Sequence, residues 1–243
     1  MKRLLLLLLL PLLCAWPSVN LGGVVPVVAG GTSYLCVYDD MSGTFGTNWT
    51  TAGTQALSFS GGKMTTASAS GGNMLAEYKS TMGSTDQSGS FLFEVNSGPG
   101  NTRGVAFRKT DATWSTNDTL YSIHAYDNES YSRICTITYP NTETECDTIS
   151  LNPTTNRYYH FRITGTGSGT TLKIWENASD LGVCNHADAN CGWSTPTVDT
   201  TLGTLGHTNN TLSGVYGGVY GYKNDAAEAI WDNVRLGSLT CNN

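Results

Sequence analysis

The chain has 243 residues and a formal net charge of −6, and 13% of its residues are charged while 39% are hydrophobic. Because the charge is negative and no basic cluster follows the first residues, binding to nucleic acid or to an anionic membrane surface is excluded. The hydrophobic content excludes wholesale disorder, and the scarcity of 3.6-residue apolar spacing excludes helical bundles, coiled coils and doubly wound α/β folds.

The N-terminus has the pattern of a secretory signal peptide. Lys2 and Arg3 form a positive start, and residues 4–13 form a leucine-rich apolar run that is too short to cross a bilayer. We predict that residues 1–29 are a signal peptide and short leader, cleaved between Ala15 and Ala29. Residues 30–243 are then a single domain that is secreted, extracellular and not inserted in a membrane once the leader is removed.

Downstream of the leader, short segments of alternating apolar and polar residues recur between clusters of Gly, Asn, Ser and Asp. This pattern is typical of an all-β antiparallel sandwich or barrel. No proline-rich linker or shift in composition divides the segments, which favours one domain. The predicted strands span residues 34–39, 73–79, 90–96, 104–109, 120–126, 133–139, 158–164, 171–176, 214–222 and 228–236.

Alternation within these strands assigns their side chains to two faces. In segment 158–164 the apolar set is Tyr159, Phe161 and Ile163, so the neighbouring side chains face away from the core. The same argument applies to segments 120–126, 171–176 and 214–222. The predicted outer set is His124, Tyr126, Tyr158, His160, Arg162, Trp175, Tyr216, Tyr220 and Tyr222, which the loop residues Trp114 and Trp193 would extend.

Six cysteines remain if Cys14 leaves with the leader, and an even number in a secreted chain predicts disulfides. Six cysteines permit 15 pairings. Two pairs are close in sequence, which leaves one long-range pair and requires the first and last strands to lie side by side. The predicted disulfides are Cys135–Cys146, Cys184–Cys191 and Cys36–Cys241.

Five Asn-x-Ser/Thr sequons lie in polar, turn-like surroundings and would carry glycans in a host with the required enzymes. In a chain so rich in Asn and Thr, chance accounts for several of them equally well. The predicted glycosylation sites are Asn48, Asn117, Asn128, Asn177 and Asn209.

Four segments resemble the concanavalin A-like lectin/glucanase superfamily, and specifically its laminin-G-like jelly rolls. They are Tyr-Asp-Asp-Met-Ser-Gly at 38–43 with Asn48-Trp49, Gly-Val-Ala-Phe-Arg at 104–108, Thr-Leu-Lys-Ile-Trp-Glu-Asn at 171–177, and Ile-Trp-Asp-Asn-Val-Arg-Leu-Gly at 230–237. The resemblance implies a jelly-roll β-sandwich. Members of the superfamily include sugar-binding modules, glycoside hydrolases, lyases and structural adhesion or virion domains, so fold alone does not select a function.

Two acidic positions indicate a cation site. Asp232 falls in phase with Val234 and Leu236 on an apolar face, where an isolated carboxylate needs compensation. Asp39 is similarly in phase with Val37. A structural Ca²⁺ ion shared by Asp39 or Asp40 with Asp232 would satisfy the oxygen preference of this ion, and the resemblance implies calcium near the terminal strands. Equally, these carboxylates would cap turns and accept backbone N–H bonds.

Aromatic rings stack against the C–H faces of sugars, and planar polar groups hold their hydroxyls. We therefore predict a non-catalytic, lectin-like module that binds a polysaccharide or glycan. Its predicted binding residues are His124, Tyr126, Tyr158, Arg162, Trp175, Trp193, Tyr216 and Tyr220.

Two alternatives stay open. The first is a structural or adhesive protein of an extracellular appendage or virion surface that self-associates. The second is a glycoside hydrolase or polysaccharide lyase, although hydrolysis requires two carboxyl groups about 5–9.5 Å apart. The Glu-x-Asp-x-x-Glu strand of glucanase relatives is absent, and we interpret the acidic run Glu143, Glu145 and Asp147 as a solvated loop. No catalytic residue is predicted.

Overall fold

The computed structural model describes residues 27–29, 32–34, 36–39, 41–51, 53, 55–66, 72–94, 101–111, 113–115, 118–126, 131–140, 142–153, 156–179, 195–223 and 230–238. Cleavage of the predicted signal peptide is therefore not tested. Also outside the description lie Asp40, Asn117, Asn128, Cys184, Cys191, Trp193 and Cys241, and the side chains of Cys36 and Tyr126.

Antiparallel strands account for most of the described chain. They are β1 (Val27–Ala29), β2 (Thr32–Tyr34), β3 (Cys36–Asp39), β4 (Trp49–Thr51), β5 (Leu57–Ser60), β6 (Lys63–Thr66), β7 (Gly72–Tyr78), β8 (Gln87–Phe93), β9 (Thr102–Lys109), β10 (Thr119–Tyr126), β11 (Ser132–Thr138), β12 (Thr142–Ile149), β13 (Arg157–Thr164), β14 (Thr171–Asn177), β15 (Val198–Thr201), β16 (Tyr216–Lys223) and β17 (Ile230–Ser238). Two single-turn helices, α1 (Phe45–Asn48) and α2 (Leu202–Leu205), interrupt them. Within the described part, no helix is long and apolar enough to span a bilayer.

Two sheets carry almost all of these strands. The seven-stranded sheet has the order β12-β11-β10-β9-β16-β7-β4. The eight-stranded sheet has the order β15-β14-β13-β8-β17-β6-β5 along its main path, with β3 paired to β17 as its eighth strand. β1 and β2 pair separately with each other. About half of the neighbouring strands in the two sheets are not consecutive in the chain, so several connections cross from one sheet to the other.

One apolar core fills the space between the sheets. It joins Tyr121 and Val219 of the seven-stranded sheet to Phe91, Phe161 and Trp231 of the eight-stranded sheet. Trp231 spans the space between the sheets, because its indole N–H donates to the carbonyl of Gly104 on β9 at 3.1 Å. At Gly221 an added Cβ would come within 2.9 Å of the Trp231 ring, so a side chain there would displace it. The predicted antiparallel β-sandwich is confirmed.

The predicted strands agree with β7–β11, β13, β14, β16 and β17 to within a few residues at their ends. The short strands β4, β5, β6 and β15 were not predicted, because segments of three or four residues barely establish an alternation. The interpretation of residues 143–147 as a solvated loop is wrong. They form most of the edge strand β12, in which Glu145 accepts hydrogen bonds from the backbone N–H groups of Thr208 and Asn209.

Two consequences of the cysteine analysis can be checked. Cys135 and Cys146 lie opposite each other on β11 and β12 and form the predicted disulfide. The first and last of the predicted strands do lie side by side, since β3 pairs with β17 and Cys36 lies opposite Gly237. The Cys36–Cys241 and Cys184–Cys191 bonds stay predictions.

Candidate functional site

The residues predicted to form one exposed aromatic face lie on two different sheets. His124, Tyr216 and Tyr220 belong to the seven-stranded sheet, whereas Arg162 and Trp175 belong to the eight-stranded sheet. Their side chains therefore point away from the core on opposite sides of the sandwich. The sequence did not predict this, because alternation within a strand does not tell which sheet the strand joins. The single platform that we predicted is therefore wrong.

Most of these side chains are also buried. His124 and Tyr220 are 0% exposed and Trp175 is 1% exposed, and Arg162 is buried as well. Tyr158 and Tyr216 are half-buried, so of the described outer set only Tyr222 is well exposed, at 37%. The predicted exposure is wrong for five of them, and none of the five reaches solvent to contact a dissolved sugar: His124, His160, Arg162, Trp175 and Tyr220.

On the side of the eight-stranded sheet that faces away from the core, polar and aromatic side chains pack against each other and are buried from solvent. The Arg162 guanidinium lies 5.0 Å from the centre of the Trp175 ring, and His160 lies 5.3 Å from it. Burial, with the charges of Arg162 and Arg235 nearby, lowers the pKa of His160 to about 3. The imidazole of His160 is therefore neutral, and Arg162 and His160 both pack against the Trp175 ring, Arg162 through a cation–π contact.

The predicted calcium ligand Asp232 does not lie on the apolar face, where the alternation placed it. A register shift follows Asp232 in β17, where Asn233 has a positive φ of 51°, and it places Trp231 in the core in phase with Val234. Asp232 consequently does not lie on the apolar face. Its carboxyl group has a pKa raised by burial and lies within the electrostatic influence of Lys63 and Glu94, which form an ion pair at 2.6 Å.

Asp39 instead belongs to a pocket at the end of β3. The cavity has a volume of about 290 Å³ and is lined mainly by polar groups: Asp39, Ser42, Gly43, Thr44, Thr47, Asn48 and Phe59. We call it the Asp39 pocket. Its residues come from the end of β3, from the turn and the helix α1 that follow it, and from β5, so one continuous segment and one later strand meet around it.

Hydrogen bonds hold the carboxylate of Asp39 in one orientation. Its Oδ1 accepts from the backbone N–H of Met41 at 2.8 Å, and its Oδ2 accepts from the indole N–H of Trp49 at 2.7 Å. Met41 has a positive φ of 59°, a conformation that non-glycine residues seldom adopt, while its side chain is buried in the core. Trp49 is buried too and packs edge-on against Tyr78 at 5.3 Å. The turn is thus anchored from both sides, and each carboxylate oxygen keeps a lone pair for a ligand.

An aromatic wall closes the other side of the pocket. Phe59 is half-buried and packs edge-on against Phe45 with 5.2 Å between ring centres. Thr44 precedes α1 without capping it through its side chain, so its hydroxyl is not used in the helix. Gly43 also lines the pocket, and a Cβ added there would meet nothing within 4 Å. The pocket combines a fixed carboxylate, an amide, hydroxyls and an apolar ring.

Sequence reasoning found only part of this pocket. The segment 38–43 and Asn48-Trp49 carried the family resemblance, Asp39 was a predicted calcium ligand and Asn48 a predicted glycosylation site. Phe59 was missed, because its strand has only four residues and nothing in the sequence connects it to Asp39. Of the other sequons, Asn177 accepts from the N–H of Ser179 and Asn209 accepts from the N–H of Thr211, which are turn contacts.

The donor set of the pocket fits calcium in type but not in charge. Carboxylate, amide and hydroxyl oxygens suit this hard cation, which takes six to eight oxygen ligands. Among the described lining residues Asp39 is the one carboxylate, and both its oxygens already accept N–H bonds. The bond from Met41 is a backbone N–H bond within the turn, whereas the bond from Trp49 comes from a side chain ten residues away.

A second acidic group lies on the outer side of the seven-stranded sheet. The ammonium of Lys109 lies 3.5 Å from Glu77, 3.6 Å from Asp118 and 3.0 Å from Asp111. Burial raises the pKa of Glu77 to about 7, against the opposing effect of Lys109. Glu77 and Asp118 are both buried, which keeps this pair of carboxylates from a polymeric substrate.

Comparison with solved structures reveals the fold. The carbohydrate recognition domain of Emp47p matches with a TM-score of 0.50 and 11% identity, covering 84% of this chain and 94% of that chain. The carbohydrate binding module CBM66 from Bacillus subtilis matches at 0.47 and 16%, covering 79% and 96% of the two chains. The exoplasmic/lumenal domain of VIP36, in its Ca²⁺/Man3GlcNAc-bound form, matches at 0.48 and 12%, covering 86% and 90%.

No protein-family model matches the chain, and no curated protein is similar to it in sequence. At these identities the likeness establishes architecture and nothing finer, so the laminin-G-like subgroup stays a prediction. Two antiparallel sheets packed around one core, together with the match to Emp47p, show that the chain has a two-layer β-sandwich fold similar to that of the Emp47p domain, and the concanavalin A-like superfamily stays a prediction.

Proposed function

We propose that the protein binds carbohydrate without cleaving it, and that the Asp39 pocket holds one sugar residue of a glycan. The observation that carries the proposal is the meeting of a fixed carboxylate, an amide, hydroxyls and an aromatic wall in one cavity of about 290 Å³. That size is near the lower end of small-molecule pockets, which begin at about 300 Å³. The fold supports the proposal, because Emp47p uses it for a carbohydrate recognition domain.

Sugar chemistry matches the groups that line the pocket. A pyranose ring has hydroxyls that both donate and accept, and the Asp39 carboxylate accepts while the Asn48 amide does both. The ring of Phe59 offers an apolar surface to the C–H face of the sugar. Because Met41 and Trp49 already hold Asp39 in place, little conformational freedom is lost when a ligand binds.

Binding rather than hydrolysis follows from the carboxylate count. A glycosidase needs an acid and a second carboxylate about 5–9.5 Å apart on either side of the scissile bond. Asp39 is the one carboxylate among the described residues that line the pocket. A lone acceptor of this kind orients hydroxyls and does not complete a catalytic pair.

Filling the pocket tests the proposal directly. Gly43→Leu places a side chain in open space and is expected to lower affinity on a glycan array at least tenfold, or about 1.4 kcal/mol. Gly46→Leu is the matched control, since a Cβ there also meets nothing within 4 Å but Gly46 does not line the pocket. Equal binding by both variants, or no glycan bound by the wild type, contradicts the proposal. The protein is made in a host without N-glycosylation, because Asn48 heads a sequon.

Calcium enters the proposal only as an ion that Asp39 would help to bind in the pocket. If the ion completes the pocket, glycan affinity measured by calorimetry is expected to fall after treatment with EDTA and to return with Ca²⁺. Asp39→Asn is expected to abolish that dependence, because the pocket then loses its negative charge. A glycan affinity that is unchanged by EDTA would show that calcium is not needed, and the proposal that the pocket binds sugar would stand.

A further inference from the structure

A group of potential metal ligands surrounds the Cys135–Cys146 disulfide on the outer side of the seven-stranded sheet. Among the described residues, His124, Cys135 and Glu143 each place one ligand atom within 4.8 Å of the other two. They lie on the adjacent strands β10, β11 and β12. Cys146 joins them, because its sulfur is bonded to that of Cys135. In the disulfide neither sulfur is a thiolate, so this group has no metal-binding sulfur while the bond is intact.

The distances from Glu143 to the two sulfurs match those between ligands of a tetrahedral zinc site, and reduction would let the sulfurs, bonded at 2.04 Å in the disulfide, move apart. Zinc binds thiolate at about 2.3 Å and nitrogen or oxygen at about 2.0–2.2 Å, so neighbouring ligand atoms are about 3.3–3.8 Å apart. Glu143 Oε2 lies 3.7 Å from the sulfur of Cys135 and 3.5 Å from that of Cys146. The carboxylate is therefore already at the separation that a shared metal ion requires.

Neighbouring groups orient the ligands. Tyr220 donates from its hydroxyl to Glu143 Oε1 at 3.1 Å, which leaves Oε2 facing the two sulfurs. The Ser122 hydroxyl lies 3.2 Å from His124 Nδ1 and fixes the imidazole ring. Metal sites use second contacts of this kind to hold their ligands.

Charge also favours a divalent ion here. Two thiolates, one carboxylate and Zn²⁺ sum to one negative charge, and the positive Arg133 acts on both His124 and Glu143. The site is reachable by a reductant, because Cys146 is exposed on the edge strand β12 whereas Cys135 is buried. A thiolate would thus attack the sulfur of Cys146 first.

We propose that reduction of the Cys135–Cys146 disulfide turns this group into a zinc site whose ligands are His124, Cys135, Glu143 and Cys146. Two equivalents of a small thiol supply the two electrons and two protons. The S–S bond breaks, two cysteine thiols form, and the reductant becomes its own disulfide. Zn²⁺ then displaces both thiol protons. In the reverse direction a small disulfide accepts the two electrons and becomes two thiols, the Cys135–Cys146 bond forms again, and Zn²⁺ is released.

The test frees one sulfur without a reductant. Cys146→Ser leaves Cys135 as a thiol beside His124 and Glu143, while any other disulfides of the full-length chain stay oxidised. Titration with Co²⁺ is expected to give one ion per chain with a thiolate-to-cobalt charge-transfer band, and Zn²⁺ is expected to displace it. The oxidised wild type is expected to show no such band.

Two double variants assign the ligands. Adding Glu143→Gln to Cys146→Ser is expected to weaken Co²⁺ binding at least tenfold, whereas adding Glu94→Gln is expected to leave it unchanged. Circular dichroism identifies any variant that has not folded, and in that case Zn²⁺ binding by the wild type and Glu143→Gln chains, both reduced with a phosphine, supplies the same comparison. Absence of the band in folded Cys146→Ser, or equal metal affinity with and without Glu143, overturns the proposal.

Discussion

Glu77 is expected to make the stability of this protein fall as pH rises, through a proton that the folded chain retains. Its side chain is 2% exposed and shares the ammonium of Lys109 with Asp118. Burial raises its pKa from 4.5 to about 7 in the folded chain. Between these two values the folded chain binds more protons at this site than the unfolded chain does, so stability is lost as pH rises through the interval.

The size of the effect follows from the two pKa values. Linkage for one carboxyl group that titrates at 4.5 when unfolded and at about 7 when folded gives a loss of about 2.5 kcal/mol between pH 5 and pH 8. Glu77→Gln has no proton to release. The stability of this variant relative to the wild type is therefore expected to rise by about 2.5 kcal/mol over the same interval.

Urea unfolding of both proteins at the two pH values measures this difference, and other titrating groups cancel in the comparison. Glu94→Gln is the matched control, because Glu94 pairs with Lys63 at a partly exposed position, where an ion pair contributes at most about 1 kcal/mol. A gap between Glu77→Gln and wild type that is the same at both pH values would refute the argument.

Three further predictions concern buried groups. The pKa values of His124 and His160, both lowered to about 3 by burial, mean that the unfolded chain gains protons first as pH falls below 6.5; each ring should therefore cost about 3 kcal/mol of stability between pH 7 and pH 4. Acid titration followed by fluorescence should show a shallower loss in His160→Gln, and an unchanged slope would contradict this. Lys109→Met leaves two buried carboxylates without their cation and should lower the free energy of unfolding by about 3–5 kcal/mol at pH 8, with a smaller loss at pH 5. Trp231→Phe leaves the carbonyl of Gly104 without its donor and should cost about 2 kcal/mol in urea unfolding, so a loss below about 0.5 kcal/mol would show that the bond is dispensable.

The outer faces of the two sheets show what alternation within a strand can predict and what it cannot. In β13 it correctly placed Tyr159, Phe161 and Ile163 in the core. It also correctly placed Trp175 on the other side of its sheet from Ile174. Pointing away from the core was then equated with pointing into solvent, which failed for Trp175. Solvent exposure depends on what packs over a face, and that is not encoded in the period of a single strand.

The prediction that Asp232 lies on the apolar face was wrong, and only part of the Asp39 pocket was predicted. A register shift at Asn233 changed the phase of β17, and no local pattern announced it. The segment around Asp39 was singled out by its motif, yet its partner Phe59 arrives from a strand of four residues. The sequence identified Asp39 as a candidate ligand, but it did not show that Phe59 lies in the same pocket.

Composition, alternation and turn residues were enough to determine an all-β antiparallel sandwich, the inward set of most strands, and the Cys135–Cys146 pairing between neighbours. These are local properties, because period, turn propensity and short loop closure act within about ten residues. Tertiary structure alone decided which sheet each strand joined, which outward side chains were covered, and that Asp39 and Phe59 share one cavity. Such outcomes depend on contacts between residues far apart in the chain, and these become defined only when both sheets close on their common core.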